Sequence, residues 1–259
     1  MNETIQYIDT NFLLHATQVP ELCDKMQVFH SDTLSFADSG LSCDTFNIIH
    51  IKNGRSITKQ GLLKTLEHFQ KRNRDYCIWV NRENLTEQLK TDMSELLLSK
   101  QNEEVGMALD LSVYTPITSE KHAHILQVDT IQKLADYSHV IAANWTPPDD
   151  DVPTFYKRTS EHYLKEKNKG IALFTYYEKN SPLATVELFP SDKDTVGIYG
   201  LATLEDARGK GIGSALMTMA LNRAKKEGFK RVVLQASKEG LGIYKKLGFD
   251  SYTTYYEYA

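Results

Sequence analysis

The spacing of apolar positions changes several times along the chain, and each change marks an element. Phe46 to Ile51 reads as a strand, bounded by Lys52-Asn53-Gly54. From 57 to 73 the period lengthens, with Leu62, Leu63, Leu66 and Phe69 at helical spacing. Cys77-Ile78-Trp79-Val80 is a short apolar strand. Residues 84–99 form a second amphipathic helix, burying Leu85, Leu89, Met93, Leu96 and Leu97, and Val105 to Leu111 reads as a third strand. Strand, helix, strand, helix, strand is the order of a small α/β unit. Residues 1–45 are only weakly periodic and predict no definite element.

The polar stretch from Pro116 to Lys121 predicts a boundary, dividing the chain into domains 1–118 and 119–259. His122 to Val128 reads as a strand and 129–143 as a helix. Thr146 to Asp151 is a loop whose aspartates can cap a helix from about 152 to 166. Ile171 to Tyr177 and Leu183 to Phe189 are strands joined by the turn residues Glu178 to Pro182. Thr195 to Thr203 is a further strand, followed by a glycine-rich loop and a helix from about 211 to 227. Gly228 suits that helix's end. Arg231 to Ala236, 239–247 and 251–258 complete the pattern as strand, short helix and strand.

Composition narrows the class. Hydrophobic residues make up 41% and charged residues 25%, as in a soluble globular protein. A formal net charge of -4 argues against broad nucleic-acid binding. Cys23, Cys43 and Cys77 have no C-x-x-C spacing, so free thiols are expected rather than a disulfide framework or zinc site. His122 and His124 would share one side of a strand, but no third ligand is spaced with them, and no metal is expected. The first residues lack a secretory pattern, and no apolar run approaches the ~18 residues of a membrane span. A cytoplasmic protein without membrane or nucleic-acid partners is expected; homodimerisation is left open.

The chemistry concentrates at Leu201-Ala202-Thr203-Leu204-Glu205-Asp206-Ala207-Arg208-Gly209-Lys210-Gly211-Ile212-Gly213-Ser214, which reads strand, turn, helix. A helix N-terminus leaves backbone N–H groups without partners, and glycines let them approach a ligand. Together they favour an anion, and Arg208 and Lys210 add charge. A phosphate or pyrophosphate site follows. The segment lacks the G-x-x-x-x-G-K-[ST] of a P-loop, and both glycine registers fail G-x-G-x-x-G/A, with Ser214 or Leu216 in the third place.

The segment resembles the acyl-CoA loop of the GNAT acetyltransferase superfamily, [QR]-x-x-G-x-[GA], with Arg208, Gly211 and Gly213 at the defined positions. Ile243-Tyr244-Lys245-Lys246-Leu247-Gly248-Phe249 is similar to a second signature, Y-x-x-x-G-F. The resemblance covers about 120–259. It implies an α+β fold, with a mainly antiparallel twisted sheet and flanking helices. Acetyl-CoA would be the cosubstrate, entering where strands 195–203 and 230–236 splay apart. By the same resemblance, Leu201, Ala202 and Thr203 would meet the pantetheine arm. Arg208, Gly209, Lys210, Gly211, Ile212, Gly213 and Ser214 would hold the pyrophosphate. Residues 46–111 more softly resemble the degenerate first half of tandem GNAT proteins, a smaller related α/β domain without a CoA loop.

The implied reaction is direct attack of an amine, of unspecified identity, on the thioester. Tyr244 matches the family's general acid; packing on the last helix is its alternative role. The family's strand glutamate is replaced by Gly197, so Glu187 on the neighbouring strand is the candidate base, with a solvent-facing strand position as the alternative. Glu205 stands where the family has proline, and Ser237 where it often has asparagine. Asp149 to Asp151 could attract a cationic acceptor or form a solvated turn. The alternative function is a catalytically inactive acyl-CoA sensor or partner-binding protein.

Overall fold

The computed structural model describes residues 2–164 and 170–259. The chain forms two compact units, and it crosses between them more than once. The first comprises Met1–Met107, Gln235–Gly242 and Ser251–Ala259; the second comprises Ala108–Leu234 and Ile243–Asp250.

The first unit opens with α1 (Glu3–Glu21), β1 (Gln27–His30) and β2 (Leu34–Asp38). The amphipathic signal of α1 is blurred because Asn11 and Thr17 are buried beside Ile5, Ile8, Phe12 and Val19. Then come β3 (Ile48–Ile51), α2 (Lys59–Gln70), β4 (Cys77–Asn81), α3 (Glu87–Glu95) and β5 (Lys100–Asp110). Both later helices start after the periodicity suggests, because a side chain fixes each start. Thr58 Oγ1 accepts from the Gly61 amide at 3.1 Å, and Thr86 Oγ1 from the Leu89 amide at 3.1 Å. β5 begins earlier than expected: its first half is polar and exposed, so an apolar pattern does not register it. Leu62, Leu66 and Phe69 of α2 pack on Ile49, Ile51, Ile78 and Val80 of the sheet. The chain's last strand, β11 (Asp250–Tyr258), pairs antiparallel with β4, giving the order β1-β2-β3-β4-β11-β5.

In the second unit, Glu120–His124 is a 3-10 turn, and only Ile125–Gln127 is strand, β6. His122 and His124 therefore do not share a strand face. His122 Nε2 bonds to Thr218 Oγ1 at 2.9 Å, whereas the His124 ring lies 5.6 Å from that of Tyr176. After α4 (Ile131–Ala142), the helix expected from 152 to 166 is two pieces, α5 (Asp151–Arg158) and α6 (Ser160–Leu164); residues 165 and 166 lie outside the described residues. Thr159, between them, turns its hydroxyl back to Phe155 O at 2.8 Å.

β7 (Ala172–Glu178) and β8 (Ser181–Pro190) form a hairpin with a two-residue turn. Lys179 and Asn180 both have positive φ, 49° and 68°, which matches the twist of the strands. β9 (Thr195–Thr203), α7 (Ile212–Lys226), β10 (Arg231–Ala236) and α8 (Leu241–Lys246) follow. The strand order is β10-β9-β8-β7-β6, antiparallel from β9 to β6 and parallel between β9 and β10. The fold class is α+β, as expected. Among the described residues no helix is long and apolar enough to cross a membrane.

Candidate acyl-carrier site

The site is built on a strand that loses one neighbour. β9 pairs with β10 through Arg231↔Thr195, Val232↔Val196 and Val233↔Gly197, and then continues to Thr203 without that ladder. Its other edge stays on β8, but the register shifts between Thr185 and Glu187. Gly200 sits at this bulge with φ +55°, and Thr185 Oγ1 donates to its carbonyl at 2.8 Å. A Cβ there would lie 2.3 Å from Tyr137 Oη, so the position admits only glycine. β9 is buried to Ile198 and partly exposed from Tyr199 onward. Leu201, Ala202 and Thr203 thus carry a strand edge free of the β10 ladder.

From Thr203 the chain makes a 3-10 turn at Glu205–Ala207 and enters the glycine loop. Gly209 and Gly211 are left-handed, at φ +73° and +75°, a conformation that other residues adopt at a cost. Gly211 is the N-cap of α7, where no side chain makes a cap bond and no acidic residue stands in the first turn. The first amides of a fifteen-residue helix therefore meet no side-chain acceptor from the cap. A Cβ on Gly209 would meet nothing within 4 Å, and one on Gly213 only Thr203 Oγ1 at 3.8 Å and Ile243 Cδ1 at 3.9 Å. Packing does not require glycine at either place; room above the loop is what both provide. Arg208 is held across the loop, its Nε donating to Thr203 O at 3.1 Å and its Nη2 to Asn144 Oδ1 at 3.4 Å.

Ile243 brings α8 against the first turn of α7, and Tyr244 follows it, 7% exposed. The second sequence signature has a structural logic. Gly248, at φ +94°, ends α8, and the Phe249 amide returns to Tyr244 O at 3.1 Å. The Phe249 ring then packs edge-on against Tyr244, with centroids 5.8 Å apart.

Glu187 is not a solvent-facing strand residue: it is 2% exposed and opposite Tyr199 in the β8–β9 pairing. Its charge acts on four phenols, those of Tyr137 (α4), Tyr156 (α5), Tyr163 (α6) and Tyr199 (β9). Burial first, and then Glu187 among other groups, push all four above the ordinary tyrosine range. These phenols stay protonated and can only be donors to a carboxylate. The structure thus brings together the loop, the open half of β9 and α8. Glu187 stands beside the bulge, within the tyrosine cluster.

Sequence reasoning missed the Gly200 bulge, the tyrosine cluster, Asn144 and Lys121, whose Cε lies 4.0 Å from where a Gly211 Cβ would be. The Ser119 N-cap was the local signal for the turn that carries Lys121. In the loop Thr146 to Asp151, Asp149 Oδ1 accepts from the Asp151 amide at 2.8 Å in a local turn, while Asp150, the N-cap of α5, makes no side-chain cap bond. Gly197 is buried and paired with Val233.

The first unit contains the same parallel strand–helix–strand order, β3-α2-β4, in a closed form. Its strands pair over four successive positions, Ile48↔Cys77 to Ile51↔Val80. Thr58 caps α2, and a Cβ on Gly54 would lie 1.8 Å from Asn84 O.

Residues 135–249 match the model of the Acetyltransferase (GNAT) family. A GCN5-related N-acetyltransferase from Kribbella flavida superposes with a TM-score of 0.68 at 12% identity, over 96% of this chain and 94% of that one. A conserved protein of unknown function from Staphylococcus epidermidis gives 0.65 at 17% identity, over 89% and 91%. A tandem GNAT protein from the clavulanic acid biosynthesis pathway gives 0.59 at 11% identity, over 99% and 95%. At these identities the superpositions speak for the fold, and the family match speaks for the domain that carries the site. Residues 135–249 thus form a domain that matches the GNAT acetyltransferase family, and the fold of the whole chain is similar to that of a tandem GNAT protein.

Proposed function

We propose that the chain is an acetyl-CoA-dependent N-acetyltransferase that moves the acetyl group to an amine by direct attack on the thioester. The observation that carries this is the uncapped, glycine-opened start of α7 beside the half of β9 that has left the β10 ladder. It offers converging amides to a diphosphate and a strand edge to a pantetheine arm, within a domain of this family.

The residues fit the chemistry. A lysine-type amine has a pKa near ~10.4, so fewer than about one in a thousand molecules is neutral at pH 7. Glu187 takes the ammonium proton, directly or through water, on a buried carboxylate surrounded by protonated phenols. The amine nitrogen then bonds to the carbonyl carbon. As the C–S bond breaks, the Tyr244 hydroxyl supplies the proton to the sulfur, and the proton shed by the acylated nitrogen restores the phenol. Leaving the cleft open on the β10 side of β9 lets both reactants be held together, worth up to roughly 7–11 kcal/mol of the barrier.

Tyr244→Phe and Glu187→Gln should each lower kcat by about 10²–10⁴-fold, the usual range for a lost proton-transfer group. Acetyl-CoA affinity, measured by calorimetry, should stay within about twofold. Unchanged turnover in either variant removes that residue from the mechanism. Tight binding of acetyl-CoA by the wild type, with no turnover across a broad amine panel, would instead assign the chain to acyl-CoA sensing.

A further inference from the structure

Tyr137 stands on the second turn of α4 with its side chain wholly buried, 0% exposed. Its Oη is pressed toward the main chain of β9, where only the missing side chain of Gly200 makes room for it: a Cβ there would lie 2.3 Å away. Gly200 sits at the bulge, one residue before the strand edge Leu201–Thr203. A pantetheine arm that runs along this edge, away from the α7 loop, brings its thioester to the level of Gly200. Tyr137 approaches that point from α4, and Glu187, whose charge acts on it, from β8.

Among the described residues the Tyr137 hydroxyl has no hydrogen-bond partner. The Tyr156 ring packs edge-on against the Tyr137 ring, with centroids 5.3 Å apart. Its phenol is near enough to act on Tyr137, yet the two oxygens do not meet in hydrogen-bond geometry. A buried hydroxyl left in this way destabilises the fold, and a phenylalanine would fill the same space without that cost. Packing therefore explains the ring and leaves the hydroxyl unexplained. A neutral phenol has one donor and two acceptor positions. Burial first, and then Glu187 among the neighbouring charges, keeps this one protonated.

We infer that Tyr137 is a specificity-determining residue for the acceptor: its hydroxyl accepts an N–H of the incoming amine beside Glu187, so the site selects primary amines over secondary ones. This rests on the N-acetyltransferase reading above and gives a role to a residue outside both sequence signatures. A primary ammonium that has lost one proton keeps two N–H bonds. With its lone pair turned to the thioester carbon, one N–H meets Glu187 and the other Tyr137. An N-methyl amine puts carbon in one of these places and leaves a buried oxygen unmatched.

The test pairs each primary amine that the wild type acetylates in the amine panel, benzylamine and phenethylamine included, with its N-methyl derivative. Wild type should favour the primary member in kcat/KM. Tyr137→Phe should lower kcat/KM for the primary amine about 5–100-fold, the scale of one lost hydrogen bond. It should change the N-methyl amine by less than about twofold, so the preference collapses. Acetyl-CoA affinity, by calorimetry, should stay the same. Unliganded Tyr137→Phe should melt at the wild-type temperature or above it, because a hydroxyl without a partner has been removed. A lower melting temperature would give the hydroxyl a structural bond and overturn the inference. An undiminished preference for primary amines overturns the role of Tyr137 alone. Absence of wild-type turnover across the whole panel overturns the acetyltransferase reading along with it.

Discussion

Asp9 and Glu104 are both drawn away from solvent in the first unit, yet they hold protons in opposite ways. Burial pushes the Asp9 carboxyl upward, but His50 Nε2 at 3.0 Å, Tyr255 Oη at 2.9 Å and Asn81 Nδ2 at 2.8 Å all donate to it. They leave it below its ordinary value. Glu104 has burial and the charges of Glu257 and Glu239 against it, and is pushed up to about 8. Between its unfolded value of 4.5 and about 8, the folded chain binds a proton at Glu104 that the unfolded chain does not. Stability from this group is therefore full below 4.5 and is lost as pH rises toward 8. Urea melts of Glu104→Gln and wild type should show the variant gaining relative stability from pH 6 to 9. A difference that stays constant with pH would contradict the assignment. Cys77 follows the same physics: burial and then Glu257 push its thiol up, which suits an inert buried cysteine.

At the scale of elements, glycines of one loop separate into two kinds. Gly211 is left-handed at φ +75°, whereas Gly213 is an ordinary helical residue with room for a methyl group. Gly211→Ala should cost about 1–2 kcal/mol through backbone strain. Gly213→Ala should stabilise the fold by about 0.5–1 kcal/mol through helix propensity. Urea denaturation of the pair measures both signs, and like effects would refute the distinction. This loop was readable from sequence because its signal is local: glycine spacing, then a helix. α7, β9 and β10 were likewise legible, since their apolar periods are strong. The bulge at Gly200 was not, because it depends on Tyr137 from α4 approaching the strand. Glu187 was read on the correct strand, but its burial among tyrosines from α4, α5 and α6 is set by tertiary packing. α1 escaped because two polar residues occupy its buried face, and the 3-10 turn Glu120–His124 because its polar start reads as a linker and its end as the beginning of a strand.

For the whole molecule, the informative feature is the membership of β11. It is the last strand in sequence, yet its partners β4 and β5 precede it by well over a hundred residues. Tyr255 pairs with Asn81 and also donates to Asp9, so β11 completes both the ladder and the buried network of the first unit. Removing residues 251–259 should abolish slow amide exchange in Cys77–Asn81, measured by hydrogen exchange with mass spectrometry. Retained protection there would mean that β4 does not need this neighbour. On a translating ribosome the same arrangement imposes a wait. The nascent first unit emerges with the slot between β4 and β5 unfilled, exposing ladder groups that invite mispairing until residues 250–258 have been made. Its maturation is thereby timed by completion of the second unit rather than by its own early appearance.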